Sequence, residues 1–222
     1  MLTESKGNMY SWVTHTWNPV KGKCSHGCKY CYMKRWGKQK RIRFDEKELN
    51  TDLGSGNFIF VGSSCDLFAN DIPYEWIVDI LVKCDFYTGN KFLFQSKNPG
   101  RFQHIKFYLP DGGRTHLCTT IETNRVYKEF MGNTPSPQNR AYWMGEMLLN
   151  NKYLTIEPIM DFDLIELVSL VSMVNPIQVN IGADSGNNHL PEPSKDKLLA
   201  LINELKKFTV IDQKRNLNRL LT

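Results

Sequence analysis

The run Phe58-Ile59-Phe60-Val61-Gly62 most constrains this chain. Four consecutive apolar residues closed by a glycine are too short for a helix and lack the alternation of a half-exposed strand. They suit a strand buried on both faces, as in a parallel sheet covered by helices. The pattern recurs. Pro73 precedes Trp76, Ile77, Ile80 and Leu81 at helical spacing, and Lys91–Ser96 reads as the next strand. Asn98-Pro99 opens a short helix, His116–Ile121 is a strand, and Ser136–Leu149 a helix. Strands at Tyr153–Ile156 and Gln178–Gly182 flank a helix at Phe162–Met173. A helix at Ser194–Phe208 and a short strand at Thr209–Ile211 complete the series. Such alternation indicates an α/β fold with a parallel sheet, a partial barrel of six strand–helix units in a single domain. Residues 1–11 read as a polar lead-in, Trp12–Trp17 as a first strand, Asn50–Asn57 as a turn-rich linker, and 209–222 as a C-terminal extension.

Between the first strand and the linker lies Cys24-Ser25-His26-Gly27-Cys28-Lys29-Tyr30-Cys31-Tyr32. Three cysteines at C-x3-C-x2-C leave one thiol over from any disulfide, and bridges across so short a loop are strained. A zinc site wants four ligands, for which His26 or His15 would complete the set. Alternatively, three thiolates hold three irons of a 4Fe–4S cluster and leave the fourth iron open. Cys65, Cys84 and Cys118 are scattered, as buried cysteines commonly are.

The chain has 222 residues and a formal charge of +5, with a pI near 8.8. Its 41% hydrophobic content can build a sizeable core and argues against disorder. No apolar run approaches the length of a membrane span and no signal peptide opens the chain, so a cytoplasmic location with no membrane partner is expected. Met33–Arg43 is rich in Lys and Arg, either a solvated end or a basic rim able to meet phosphates.

Strand parity bears on the interior. One face of the strand at 116–122 holds His116, Cys118, Thr120 and Glu122. Leu93, Gln95 and Lys97 share a face, as do Thr155 with Glu157 and Gln178 with Asn180. A purely structural parallel sheet is apolar on both faces, so four polar stripes point to a ligand-holding cleft. Polar residues also gather where strands end, at Ser63, Ser64 and Asp66, at Glu157, and at Asp184 and Ser185. Sites of α/β folds lie at such ends. Cys65 and Cys118 stand at this cleft, each either a small buried hydrophobe or a thiol able to donate a hydrogen atom through its weak S–H bond.

The cysteine loop resembles the signature of the radical S-adenosylmethionine (SAM) superfamily. Thr16-Trp17-Asn18-Pro19 and Ser64-Cys65-Asp66-Leu67-Phe68 further resemble a phage and bacterial three-Cys-motif subfamily. The resemblance implies a (β/α)6 partial barrel. Cys24, Cys28 and Cys31 would bind a 4Fe–4S cluster whose open iron chelates SAM, and reductive cleavage would release a 5′-deoxyadenosyl radical. It implies Tyr30 beside the adenine, Thr120 and Glu122 at the ribose hydroxyls, and Gly182 with Ala183 against the adenine. Ser63, Ser64 and Asp66 would lie near the SAM amino group, in place of the superfamily's Gly-Gly-Glu, and Lys97 would pair the carboxylate. Glu157 and Asn180 complete the candidate cofactor contacts. A flavodoxin- or ferredoxin-like reductant is implied. A nucleic-acid or nucleotide-derived substrate is expected, for base modification or lesion repair. A zinc-stabilised nucleic-acid-binding module without catalysis is the alternative.

Overall fold

A computed structural model describes the whole chain, Met1–Thr222. The fold is mixed α/β, with eight strands in a mostly parallel sheet, a separate two-stranded ladder and seven α-helices. The residues group into two compact units: Met1–Ser25 with Met33–Leu117, and His26–Tyr32 with Cys118–Thr222.

In the first unit, β1 (Thr3–Glu4) pairs antiparallel with β2 (His15–Trp17). Residues 1–11 are therefore not a mere lead-in. Tyr10 is buried and its hydroxyl donates to Gln95 Oε1 at 2.7 Å. The first strand is also shorter than its β-forming composition suggests, because the chain turns at Tyr10–Val13 through a backbone bond of 3.1 Å. The ladder of β3 (Val20–Lys21) and β4 (Arg43–Phe44) closes the long excursion that carries the cysteines. β5 (Phe58–Val61) lies parallel to both β2 and β6 (Lys91–Ser96). Between them α1 (Tyr74–Phe86) starts directly after Pro73 and buries Ile77, Ile80, Leu81 and Cys84. Each large aliphatic side chain so enclosed stabilises by roughly 1.5–3 kcal/mol. The segment at 50–57 has no regular structure but is anchored, with Leu53 wholly buried and its carbonyl accepting from Asn57 and Asn90. α2 (Gly100–Ile105) follows, then β7 (Thr115–Thr120), within which the unit boundary falls.

In the second unit, α3 (Lys128–Met131) is a single turn absent from the sequence expectation. α4 (Pro137–Gly145) begins at a Ser136 cap whose Oγ accepts from Asn139 N. It ends at Gly145 rather than Leu149. A Cβ there would sit 2.7 Å from the Met173 carbonyl oxygen, so the helix terminates at a close approach that only glycine allows. β8 (Lys152–Ile156), β9 (Gln178–Ile181) and β10 (Val210–Gln213) are parallel neighbours. They are joined through α5 (Leu164–Val174) and α6 (Lys195–Leu205), the latter capped by Ser194. Buried Leu167, Leu170 and Val171 of α5 and Leu198, Leu201 and Ile202 of α6 form much of this unit's core. The last segment continues past β10 into α7 (Asn218–Leu221).

Candidate functional site

The cysteine excursion divides between the units after Ser25. All six cysteines are free thiols; Cys28 is buried, and Cys24 and Cys31 are half-buried. Within neither unit do three or more His, Cys, Asp or Glu side chains converge on one ion position.

The loop at 26–31 is pinned by its backbone. Lys29 N donates to Phe130 O at 2.7 Å, and Asn133 N donates to His26 O at 2.7 Å. Cys31 N closes a turn onto Cys28 O at 3.3 Å. Gly132 has φ +65°, and a Cβ there would meet His26 O at 2.2 Å. No side chain fits between these two strips of backbone.

Tyr30 provides the side-chain anchor. Its ring packs against the cluster of Met131, Met160 and Leu190, and its hydroxyl donates to Glu122 Oε1 at 2.6 Å. Burial and the neighbouring Glu122 charge hold the phenol well above its ordinary pKa, so it stays a proton donor. Glu122 is fully buried, and its other oxygen accepts from Arg140 Nη1 at 2.7 Å. Arg140, equally buried, also donates to Thr120 O at 2.8 Å, Pro135 O at 2.7 Å and Thr134 Oγ1 at 2.7 Å. A buried ion pair is tolerated only when its remaining donors are satisfied, and these are. Thr120 and Glu122, expected at ribose hydroxyls, thus lie in a network that fixes the cysteine loop.

In the first unit, the two distinctive words of the sequence meet. Asn18 Oδ1 accepts from Ser64 N at 2.8 Å and from Ser63 Oγ at 3.2 Å. Asp66 accepts from Phe68 N at 3.0 Å, Ser96 Oγ at 2.8 Å and Lys97 N at 2.8 Å, tying the turn after β5 to the end of β6. It is the backbone of Lys97 that makes this bond. The buried Cys65 thiol is hydrogen-bonded to Cys24, which with burial pushes its pKa far up. Cys65 thus lies beside a candidate cluster ligand.

The polar stripes of β7, β8 and β9 prove largely self-satisfied. Cys118 is wholly buried, with Sγ 3.4 Å from Thr155 Oγ1. Asn180 accepts from Gln178 Nε2 at 2.7 Å and donates to Leu154 O at 3.4 Å. Glu157 accepts from Lys214 Nζ at 2.7 Å and Asn216 Nδ2 at 2.9 Å. A Cβ on Gly182 would sit 2.7 Å from Glu157 Oε1, so this glycine makes room for the carboxylate. Arg140, Lys214 and Asn216 were not singled out from the sequence, and Asn18 only as part of the word Thr16–Pro19. Their polar partners are distant in the chain, and no local periodicity marks them. A concavity of about 930 Å³ is lined by Lys152, Ile177, Lys207 and Phe208. It opens at the amino ends of β8, β9 and β10, whereas Glu157 and Gly182 follow the carboxyl ends of β8 and β9.

No curated protein matches the chain. Among solved structures, it is similar to a substituted spore photoproduct lyase with dinucleoside spore photoproduct. That match has a TM-score of 0.66 and 12% identity over 92% of this chain and 78% of that one. Another substituted form matches with a TM-score of 0.64 and 11% identity, over 92% and 78% of the two chains. A form with bound AdoMet and dinucleoside spore photoproduct matches with a TM-score of 0.56 and 13% identity, over 91% and 64%. At these identities the likeness establishes the fold. A family model described as "Protein of unknown function (DUF5131)" matches residues 8–195, most of the chain. The chain belongs to the DUF5131 family.

Proposed function

We propose that this chain is a radical SAM enzyme acting on a nucleic-acid or nucleotide-derived substrate. The observation that carries the reading is the C-x3-C-x2-C loop of free thiols, set in a chain whose fold is that of spore photoproduct lyase, a radical SAM enzyme. The donor set fits the group. Soft thiolates in an irregular, glycine-bearing loop suit iron–sulfur ligation, and each cysteine of a cluster takes its own iron, so convergence on a single ion is not required. Cys24, Cys28 and Cys31 would hold a 4Fe–4S cluster, which supplies reductive cleavage of SAM to methionine and a 5′-deoxyadenosyl radical. The electron comes from a flavodoxin- or ferredoxin-like donor.

The remaining residues bind, orient and exclude water. Tyr30 holds the loop of Cys28 and Cys31 onto Glu122, and Arg140 holds Glu122. Asn18 shapes the turn of Ser63 and Ser64, whose hydroxyls and backbone we assign to the SAM amino group, with Lys97 for the carboxylate. Asp66, Glu122 and Glu157 act through what they hold, since protein donors already engage their oxygens. Thr120, Asn180 and Gly182 line the same assignment at the adenosine moiety. Cys65, which neighbours Cys24, is the thiol we assign to hydrogen return. For Cys118, full burial against Thr155 favours packing, and a Cys118→Ala chain that keeps turnover would leave it that role alone. Neighbouring structures hold dinucleoside spore photoproduct, which supports a nucleic-acid substrate, for lesion repair or base modification.

The test is anaerobic reconstitution with iron and sulfide, then incubation with SAM and dithionite. About four irons per chain with 5′-deoxyadenosine released, both lost in Cys28→Ala, supports the reading. A colourless protein with tightly held zinc and no SAM cleavage overturns it.

A further inference from the structure

The charge of this chain is concentrated. Between Glu4 and Asp45 there are ten Lys and Arg and no Asp or Glu, so this stretch carries +10 while the whole chain carries +5. The fold gathers much of that charge on one ladder of the first unit. Lys21 pairs with Arg43 in the β3–β4 register, and Lys23 N donates to Lys40 O at 3.0 Å. A Cβ on Gly22 would touch the Arg41 carbonyl oxygen at 2.6 Å, so the two arms run in close contact. Lys21 is neutralised by Asp45 and Glu48. By contrast Lys23, Lys38, Lys40 and Arg41 are exposed and make no ion pair.

Two residues before Lys38 in the same arm stands Trp36, 77% exposed and with no ring partner. Its turn is built rather than loose. Gln39 Nε2 donates to Met33 O at 3.0 Å and Gly37 O at 3.2 Å, and Gly37 N donates to Lys34 O at 3.2 Å. An indole kept in water costs free energy that a folded chain ordinarily avoids by packing it. Exposed cations beside a presented aromatic face match a phosphate backbone with an unpaired base: the cations take phosphates and the indole takes the base. A base inside a duplex offers no free face, so the match is to a single strand.

We propose that the β3–β4 ladder and the Trp36 turn form a single-stranded nucleic-acid binding surface, with Trp36 stacking on a base and Lys23, Lys38, Lys40 and Arg41 on the phosphates. This deepens the proposed function by naming the form in which the substrate is held. The binding itself is read without iron, SAM or reductant, so it fails or succeeds independently of the radical reading.

The experiment is fluorescence anisotropy of labelled oligonucleotides of about 12 nucleotides, single-stranded DNA, single-stranded RNA and duplex DNA, across a salt series with the full chain. Trp36→Ala is expected to weaken single-strand binding about tenfold or more, and Trp36→Phe to retain most of it. The triple variant Lys38→Ala, Lys40→Ala, Arg41→Ala is expected to reduce the slope of log K against log salt by about 2. Preference for one of the two single strands identifies the sugar. Unchanged affinity in Trp36→Ala, or duplex bound more tightly than either strand, overturns the proposal. Unaltered melting of each variant excludes unfolding as the cause.

Discussion

Tyr30 donates its hydroxyl to Glu122 Oε1 at 2.6 Å, so the residue just before the last cysteine of the motif is bonded to a carboxylate that follows β7. Glu122 is fully buried and charged against Arg140, which makes this a hydrogen bond to an ion in a poorly solvated place. Such bonds contribute about 1.5–3 kcal/mol, and losing the donor exposes the carboxylate's desolvation cost. Tyr30→Phe keeps the ring among Met131, Met160 and Leu190 and removes only the hydroxyl. Chemical denaturation is expected to show about 2 kcal/mol less stability, and reconstituted iron should be lost faster to a chelator. A variant as stable as the parent would mean that packing alone seats the loop.

The Glu122–Arg140 pair gives a sharper test, because breaking and replacing a buried ion pair have opposite outcomes. Arg140→Met leaves the carboxylate without its cation and is expected to cost about 3–5 kcal/mol. Adding Glu122→Leu removes the stranded charge and should recover a large part of that loss in a double-mutant cycle. Tyr30 then has no acceptor, so recovery stops short of the parent. Additive losses in the double variant would contradict a direct coupling.

Much of this architecture was legible in local pattern, and the failures have physical reasons. Lys91–Ser96 and Tyr74–Phe86 were readable because an apolar run and a helical stripe are bounded by turn residues and Pro73. Thr3–Glu4 was not, since two residues have no periodicity and become a strand only through β2. The helix expected to reach Leu149 ends at Gly145, where only a glycine fits against the carbonyl of Met173, a residue remote in sequence. At the site, parity grouped Glu122, Thr155 and Asn180 on polar faces read as lining a cleft, and all three side chains are buried. It could not supply their partners. Arg140 lies 18 residues beyond Glu122, and Asn216 lies 59 beyond Glu157. Buried polar groups therefore read as a ligand cleft when part of what they meet is the chain itself.

Gly132 is predicted to be essential to the cysteine loop. Alanine there faces a backbone at φ +65°, ψ −133° and a Cβ 2.2 Å from His26 O. Gly112 separates the two costs, since it has φ +63° with nothing within 4 Å. Gly112→Ala should cost about 1 kcal/mol from conformation alone. Gly132→Ala should cost several times that and depress iron uptake, because the His26 carbonyl must move and carries Cys28 with it. Equal melting shifts in the two variants would show that the loop gives way without consequence.

His116 supplies a pH dependence whose direction follows from its burial. The ring is packed on Phe58 with centroids 4.5 Å apart and is 6% exposed. Burial, aided by the Lys91 charge, lowers its pKa from 6.5 to about 4. Between these values the unfolded chain binds a proton that the folded chain does not, so stability rises with pH through this window and is level above it. From pH 7.5 to pH 5 the loss attributable to this residue is about 2 kcal/mol. His116→Phe keeps an aromatic against Phe58 and removes the titration. Denaturant melts at both pH values are expected to show the parent losing about 2 kcal/mol more than the variant. Parallel losses would mean that the folded chain accepts the proton as readily as the unfolded one, and that the imidazole has access to water.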